Sequence, residues 1–202
     1  MAKELKLKAG SKIPAGATLY EGYEPGENHI TANVGIDKIE GVLQHFIAMH
    51  KEPIFFILEL PTALDDEKEI AAGDVKTLHE DVYYMDGCSQ EEALTVLSRV
   101  GDLLYNDGLA SFGFGGHESG DEIMFGKYNV LTIYSRSIEK YESFFDAHEI
   151  EKTNDLMTAW SIFSEENPGI SERYEADGRT VFDIPKQFEA WGMYFAERRE
   201  AD

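Results

Sequence analysis

Residues 112–122, FGFGGHESGDE, combine four glycines with one histidine and three carboxylates. Side chains of these types bind metal ions through nitrogen and oxygen, and the candidate ligands are His117, Glu118, Asp121 and Glu122. No second histidine lies close by in the sequence, and no calcium-loop pattern occurs. A polar hairpin turn is therefore the favoured interpretation, and we predict no metal site.

The same glycines could belong to a phosphate-binding loop, but their spacing does not fit one. Five residues rather than four separate Gly120 from Gly126, and Tyr128 stands where a P-loop needs a hydroxyl that binds Mg²⁺. A dinucleotide fingerprint beginning at Gly113 would have Glu118 at its third glycine position. The predicted order is also a helix followed by a strand, the reverse of what such sites require. We predict no nucleotide or other cofactor.

Cys88 is the single cysteine, and it directly precedes a predicted helix start at Ser89. A helix N-terminus lowers the pKa of a thiol, and His79 upstream could act as a base. No orienting partner or oxyanion donor can be named, so a small buried side chain is the preferred interpretation. An enzyme or small-molecule site around His79, His117 and nearby carboxylates is kept as the alternative function.

Composition describes an ordinary packed protein with an unusual charge. The chain has 202 residues, 43% of them hydrophobic and 12% aromatic. Lys and Arg number 18 against 39 Asp and Glu, which gives a net charge of −21. Residues 1–12 contain four lysines and one glutamate, a local charge of +3, so that the remainder carries −21 − 3 = −24.

This charge restricts the classes of partner. Nucleic acids and anionic membrane surfaces are disfavoured, because both are bound through Lys and Arg. Attraction of a basic protein and simple solubility are both consistent with the charge. A secretory signal and an 18-residue apolar run are both missing from the sequence, and one cysteine permits no internal disulfide. We expect a cytoplasmic protein.

Four segments have the 3.6-residue period of amphipathic helices. They are residues 36–51, 89–108, 137–150 and 185–200. The second has the clearest ends, because Ser89 and Glu92 form a capping box and Gly108 suits the C-terminal end.

Pairs of strand-like runs lie between the predicted helices. The clearest are 18–23 with 29–34, 53–60 with 80–85, 109–115 with 123–135, and 171–176 with 179–184 across Asp177-Gly178. Residues 156–163 favour neither a strand nor a short helix. We predict an α+β fold, an antiparallel sheet covered by about four amphipathic helices, in which ββα units could repeat. The chain is read as a single domain over 1–202, and the acidic loop at 62–76 is the best place for a boundary if there are two.

Three segments, NDGLASFGFGGHESGDEI, KYNVLTIYS and WGMYFAERRE, resemble a family of small, acidic, functionally unassigned bacterial proteins. The resemblance covers roughly residues 80–200 and implies no catalytic or binding residues. In size, acidity and α+β build the chain is also similar to immunity proteins, which neutralise toxic nucleases by placing carboxylates against a basic active site. This second likeness is one of class.

These observations lead to one main functional hypothesis. We expect a non-enzymatic acidic protein that binds a basic protein partner, in the manner of an immunity-type inhibitor.

Overall fold

The computed structural model describes residues 3–63 and 78–201. Within these ranges the α-helices are α1 Ile39–Met49, α2 Gln90–Asn106, α3 Tyr141–Ala147 and α4 Ile184–Phe188. The strands are β1 Ser11–Lys12, β2 Gly22–Pro25, β3 His29–Asn33, β4 Ile54–Pro61, β5 His79–Cys88, β6 Ser111–Gly116, β7 Glu122–Phe125, β8 Val130–Tyr134, β9 Ile170–Ser171 and β10 Tyr194–Glu200.

Eight strands form one antiparallel sheet in the order β10-β5-β4-β6-β7-β8-β3-β2, and β1 pairs with β9 separately. The predicted α+β class is confirmed. Counting only strands of the eight-stranded sheet, the chain order is ββα for the first two helices, whereas three strands precede α3 and a strand follows α4.

The register of the strands separates the sheet into two faces. One row that faces the core runs across five neighbouring strands through Leu58, Phe112, Phe125, Leu131 and Ala32, and each of these residues is 0% exposed. Because successive side chains of a strand point to opposite faces, the residues between them form a second face. We call this second face the open face.

All four helices contribute to the core on the first face. Helix α1 places Phe46 there and α2 places Leu104, while Phe145 of α3 stacks on Tyr23 with ring centroids 4.3 Å apart. The predicted capping box of α2 is present, since the Ser89 side chain accepts a hydrogen bond from the Glu92 backbone and the Glu92 carboxylate accepts one in return. Helix periodicity and capping therefore located α1 and α2 correctly.

The predicted helix at 185–200 is wrong beyond its first turns. Helix α4 ends at Phe188, a 3₁₀ turn follows, and Gly192 takes a left-handed conformation with φ of 93°. The chain then extends as β10, in which Tyr194 pairs with Tyr84. The glycine ends the helix, and the aromatic and charged residues after it form an edge strand instead.

Two strand predictions also need correction. The predicted strand at 123–135 is interrupted at Lys127–Asn129, where Tyr128 and Asn129 have φ of 55° and 63°. The buried amide of Asn129 holds this turn by donating hydrogen bonds to the Lys6 and Val34 carbonyl oxygens.

The hairpin predicted across Asp177-Gly178 is reduced to its turn. Both residues have positive φ, and a single bridge joins Ala176 to Arg179. Thr180 then caps a 3₁₀ turn at Val181–Asp183 instead of entering a strand. The ambiguous run at 156–163 contains a 3₁₀ turn at Ala159–Ser161.

The proposed boundary in the acidic loop at 62–76 falls almost entirely outside the described residues. The strands on either side of that loop, β4 and β5, are neighbours in the sheet. Among residues 3–63 and 78–201, no helix has the length and apolar composition needed to cross a bilayer.

Candidate functional site

The segment at 112–122 forms the hairpin that its turn residues predict. Phe112–Gly115 of β6 pair with Glu122–Phe125 of β7, and Gly120 in the connection has φ of 69°. The structure sends the four candidate metal ligands of this hairpin in different directions. No group of three or more His, Cys, Asp or Glu in the described part of the chain is arranged to hold a metal ion.

Asp121 points into the core side of the hairpin, where it is 2% exposed. Its carboxylate accepts hydrogen bonds from the Tyr141 hydroxyl at 2.8 Å and from His50 Nε2 at 3.1 Å, and it pairs with Lys140. Burial alone would raise the pKa of Asp121, but the hydrogen bonds from Lys140, His50, Ser135 and Tyr141 outweigh it and lower the pKa. Asp121 is therefore a structural carboxylate that joins the hairpin to α1 and α3.

His117 and Glu118 lie at the exposed tip. His117 Nε2 is 3.6 Å from an Asp86 carboxylate oxygen, and its ring packs edge-on against Phe55. Glu118 forms an exposed ion pair with Lys51 at 3.1 Å. Such exposed pairs contribute little to stability.

The structure does not bring His79 and His117 together. His79 begins β5, whereas His117 lies beside Asp86, seven residues further along that strand. At about 3.3 Å per residue, the two sites are roughly 23 Å apart. A shared catalytic site around both histidines is inconsistent with this placement.

Cys88 is buried, and its thiol donates a hydrogen bond to the Met85 carbonyl oxygen at 3.2 Å. Burial, with the nearby charges of Glu92 and Asp86, raises its pKa to about 11. These effects outweigh the lowering of the thiol pKa that a helix N-terminus could produce. Cys88 is a thiol at neutral pH and is a poor nucleophile.

A histidine pair that the sequence did not indicate joins α1 to the end of α3. His45 Nδ1 and His148 Nε2 lie 3.0 Å apart, and the His45 ring stacks on Phe144. Burial, followed by the His45 and Lys38 charges, lowers the pKa of His148. A hydrogen bond in which one ring nitrogen donates and the other accepts fits this geometry.

A depression on the open face has a volume of about 610 Å³ and is lined by several charged side chains. Strands β4, β5, β6, β7, β8 and β10 all contribute to its lining. Its charged and aromatic lining residues are Glu59, Glu80, Tyr84, Glu122, Lys127, Tyr134, Trp160 and Arg199. We call this depression the acidic cavity.

One end of the acidic cavity contains internally paired charges. Arg199 of the edge strand β10 donates a hydrogen bond to Glu59, whose side chain is 12% exposed. Lys127 Nζ lies 3.6 Å from Glu80. Burial raises the pKa of Glu59, and the Arg199 charge only partly offsets this, while Glu80 and Glu122 add to the rise.

Glu122 lies towards the other end of the cavity and lacks such a partner. No ion pair or hydrogen bond to its carboxylate is formed by any residue in 3–63 or 78–201. Burial raises its pKa, and the Arg199 charge lowers it to a smaller extent. Burial also raises the pKa of Tyr84, with Glu122 and Glu59 as the next causes. Three carboxylates therefore face two cations, and the uncompensated charge is at Glu122.

Glycines of β6 form the floor of the open face between these residues. A Cβ atom at Gly113 would come 1.9 Å from the Ile123 carbonyl oxygen, and one at Gly115 would come 2.0 Å from the Phe55 ring. These glycines therefore allow close packing across the sheet. Gly113 and Gly115 therefore serve packing of the sheet and not phosphate binding.

Comparison of the chain with protein-family models, with curated proteins and with solved structures gave no match. The resemblance to small acidic bacterial proteins therefore stays a prediction.

Glu59, Tyr84 and Arg199 were not predicted from the sequence as site residues, and Glu122 was predicted only as a candidate metal ligand. One signal was available in the sequence. Glu59 interrupts the apolar strand IFFILELP, which is typical of a residue on the second face of a sheet.

Proposed function

We propose that this chain is a non-enzymatic, cytoplasmic, acidic binding protein that engages a basic protein partner through the open face, as an immunity-type inhibitor would. The observation that carries the proposal is the acidic cavity, in which Glu122 forms no ion pair or hydrogen bond with any described residue. A cationic group of a partner would supply such an ion pair.

Complementary charge would attract such a partner to the open face. A net charge of −21 accelerates encounters with cationic proteins, and low-dielectric walls around Glu59 and Glu122 strengthen their attraction for a bound cation. The alternative of an enzyme receives less support, because His79 and His117 are far apart and Cys88 is held as a thiol.

Affinity capture with matched variants tests the proposal. Immobilised wild type is compared with a cavity variant, Glu59→Gln/Glu122→Gln, and with a control, Glu40→Gln/Glu91→Gln. The control changes the charge equally at exposed positions of α1 and α2, which cover the other face of the sheet.

We expect basic proteins, of pI above about 9, to be retained from host lysate at low salt by the wild type and the control but released by the cavity variant. Retention by all three proteins alike would refute a specific role of the open face.

A further inference from the structure

We infer that the acidic cavity receives the guanidinium group of a partner arginine, which pairs with Glu122 and lies against the exposed ring of Tyr134. The inference rests on the proposed function and names the side chain that the cavity recognises. It is carried by three features of the cavity: a guanidinium already bound there, the space beside Glu122, and the exposed aromatic rim.

The first feature is Arg199. It reaches from β10 into the cavity, and its guanidinium binds Glu59. The cavity thus already accommodates one planar cation against a buried carboxylate, and Glu59 is the intramolecular counterpart of the site that we infer at Glu122. Arg199 does not form an ion pair with Glu122, so that carboxylate stays available.

The second feature is the space between the two carboxylates. Glu59 is opposite Ser111 on β6, and Glu122 is opposite Gly115, four residues further along the same strand. Two strand spacings of about 4.8 Å and four residues at about 3.3 Å place their Cα atoms roughly 16 Å apart. Both carboxylates line the same depression of about 610 Å³. A second guanidinium therefore fits beside Glu122 while Arg199 keeps its contact with Glu59.

The third feature is the aromatic rim. Tyr134 is paired with Glu122 across the strands and is 50% exposed, and Trp160 is 55% exposed. Edge-on contacts with Tyr128 at 5.1 Å and Phe163 at 5.6 Å hold the indole of Trp160. The exposed ring of Tyr134 beside Glu122 favours a guanidinium, which stacks on rings and donates in a planar fork, over the compact ammonium of lysine. Trp160 extends the aromatic surface towards the Lys127 end of the cavity.

The test uses three synthetic heptapeptides that are identical except for a central arginine, lysine or citrulline. Citrulline keeps the planar shape and removes the charge. Binding is measured by isothermal titration calorimetry at low salt to the wild type, to Glu122→Gln and to the control Glu91→Gln. Thermal unfolding checks that each variant is folded.

We expect the arginine peptide to bind the wild type at least about tenfold more tightly than the lysine peptide, and the citrulline peptide not to bind detectably. Glu122→Gln should weaken the arginine peptide by about tenfold, and Glu91→Gln should leave it unchanged. A second variant, Tyr134→Leu, removes a ring without changing charge and should reduce the preference for arginine over lysine.

Equal affinity for arginine and lysine, no loss in Glu122→Gln, or no binding of the arginine peptide would each overturn the inference. The capture experiment separates this failure from failure of the proposed function. If basic proteins still require Glu59 and Glu122 for retention, the open face binds cations without selecting arginine, and only the inference falls.

Discussion

Asp121 and Glu122 are adjacent in the sequence, yet their side chains have opposite environments. Asp121 lies on the core side, where burial alone would raise its pKa but hydrogen bonds from Lys140, His50, Ser135 and Tyr141 lower it. Glu122 lies on the open face, where burial of its carboxylate without an ion-pair partner raises its pKa. The alternation of a strand explains the difference. The sequence marks both residues as acidic, but only the register of the strands shows which one is stabilised and which is available to a ligand.

The substitution Glu122→Gln should stabilise the free protein at neutral pH. Because the pKa of Glu122 is raised in the folded wild type, its ionised carboxylate destabilises the folded state at pH values above the folded-state pKa. This destabilisation disappears once pH falls below the unfolded-state pKa of about 4.3. Removing the charge should add about 0.5–1 kcal/mol to the free energy of unfolding at pH 7. Urea unfolding at pH 7 and pH 4 measures this, and a destabilised variant at pH 7 would contradict it.

The substitution Asp121→Asn should destabilise the protein by about 3 kcal/mol at pH 7, because it leaves His50, Tyr141 and Lys140 around a weaker acceptor. Since the folded-state pKa of Asp121 is lowered, its contribution is present above the unfolded-state pKa of about 3.9 and is lost as pH falls through the folded-state value. The free energy of unfolding of Asp121→Asn should therefore fall less steeply at acidic pH than that of the wild type.

Asp37→Asn provides the comparison for this variant. Lys6 and Lys3 bind Asp37 at the surface, and hydrogen bonding from Lys6 leads the effects that lower its pKa to about 2. About a third of its side chain is exposed, so its loss should cost no more than about 1 kcal/mol. Equal losses of stability in Asp121→Asn and Asp37→Asn would mean that the buried hydrogen bonds of Asp121 stabilise the protein no more than an exposed ion pair does.

At the scale of elements, periodicity predicted the helices that carry a continuous buried stripe. Helices α1 and α2 were located this way, because their apolar residues recur on one side and α2 has a capping box. The segment at 185–200 has the same spacing of large residues but changes structure at Gly192. Its aromatic residues read equally well as a helix stripe or an edge strand, and pairing with β5 decides between them.

Gly192→Ala tests this boundary. A side chain at φ of 93° is strained, and no atom lies within 4 Å of the added Cβ, so the expected destabilisation of about 1–2 kcal/mol is a backbone effect. Gly126→Ala is the control, because its Cβ would make only ordinary contacts, with the Ser111 hydroxyl at 3.5 Å and the Val130 carbonyl oxygen at 3.6 Å. Chemical denaturation of both variants measures the free energy of unfolding. An unchanged value in Gly192→Ala would contradict a change from helix to strand at Gly192.

At the scale of the whole molecule, the charge was readable from composition, but the acidic cavity was not. Its residues come from strands that are distant in the chain, since β10 pairs with β5 and β4 pairs with both β5 and β6. Glu59 and Arg199, which meet there, are 140 residues apart in the sequence. A hairpin signal fixes local pairs such as β6 with β7, whereas these distant neighbours depend on packing of the complete sheet.

Whole-molecule charge and a local site make different predictions. Long-range attraction would be reduced equally by any two neutralised carboxylates and would weaken with salt. A cavity that binds a cation instead depends on where the carboxylates lie. The dissociation constant of a purified basic partner therefore tests the central claim most directly, measured at one ionic strength for the wild type, Glu59→Gln/Glu122→Gln and Glu40→Gln/Glu91→Gln.

Binding through the open face predicts that the cavity variant loses at least about tenfold in affinity, roughly 1.4 kcal/mol, while the helix-face control stays within about threefold of the wild type. Equal affinities of the two variants for the partner would contradict the account.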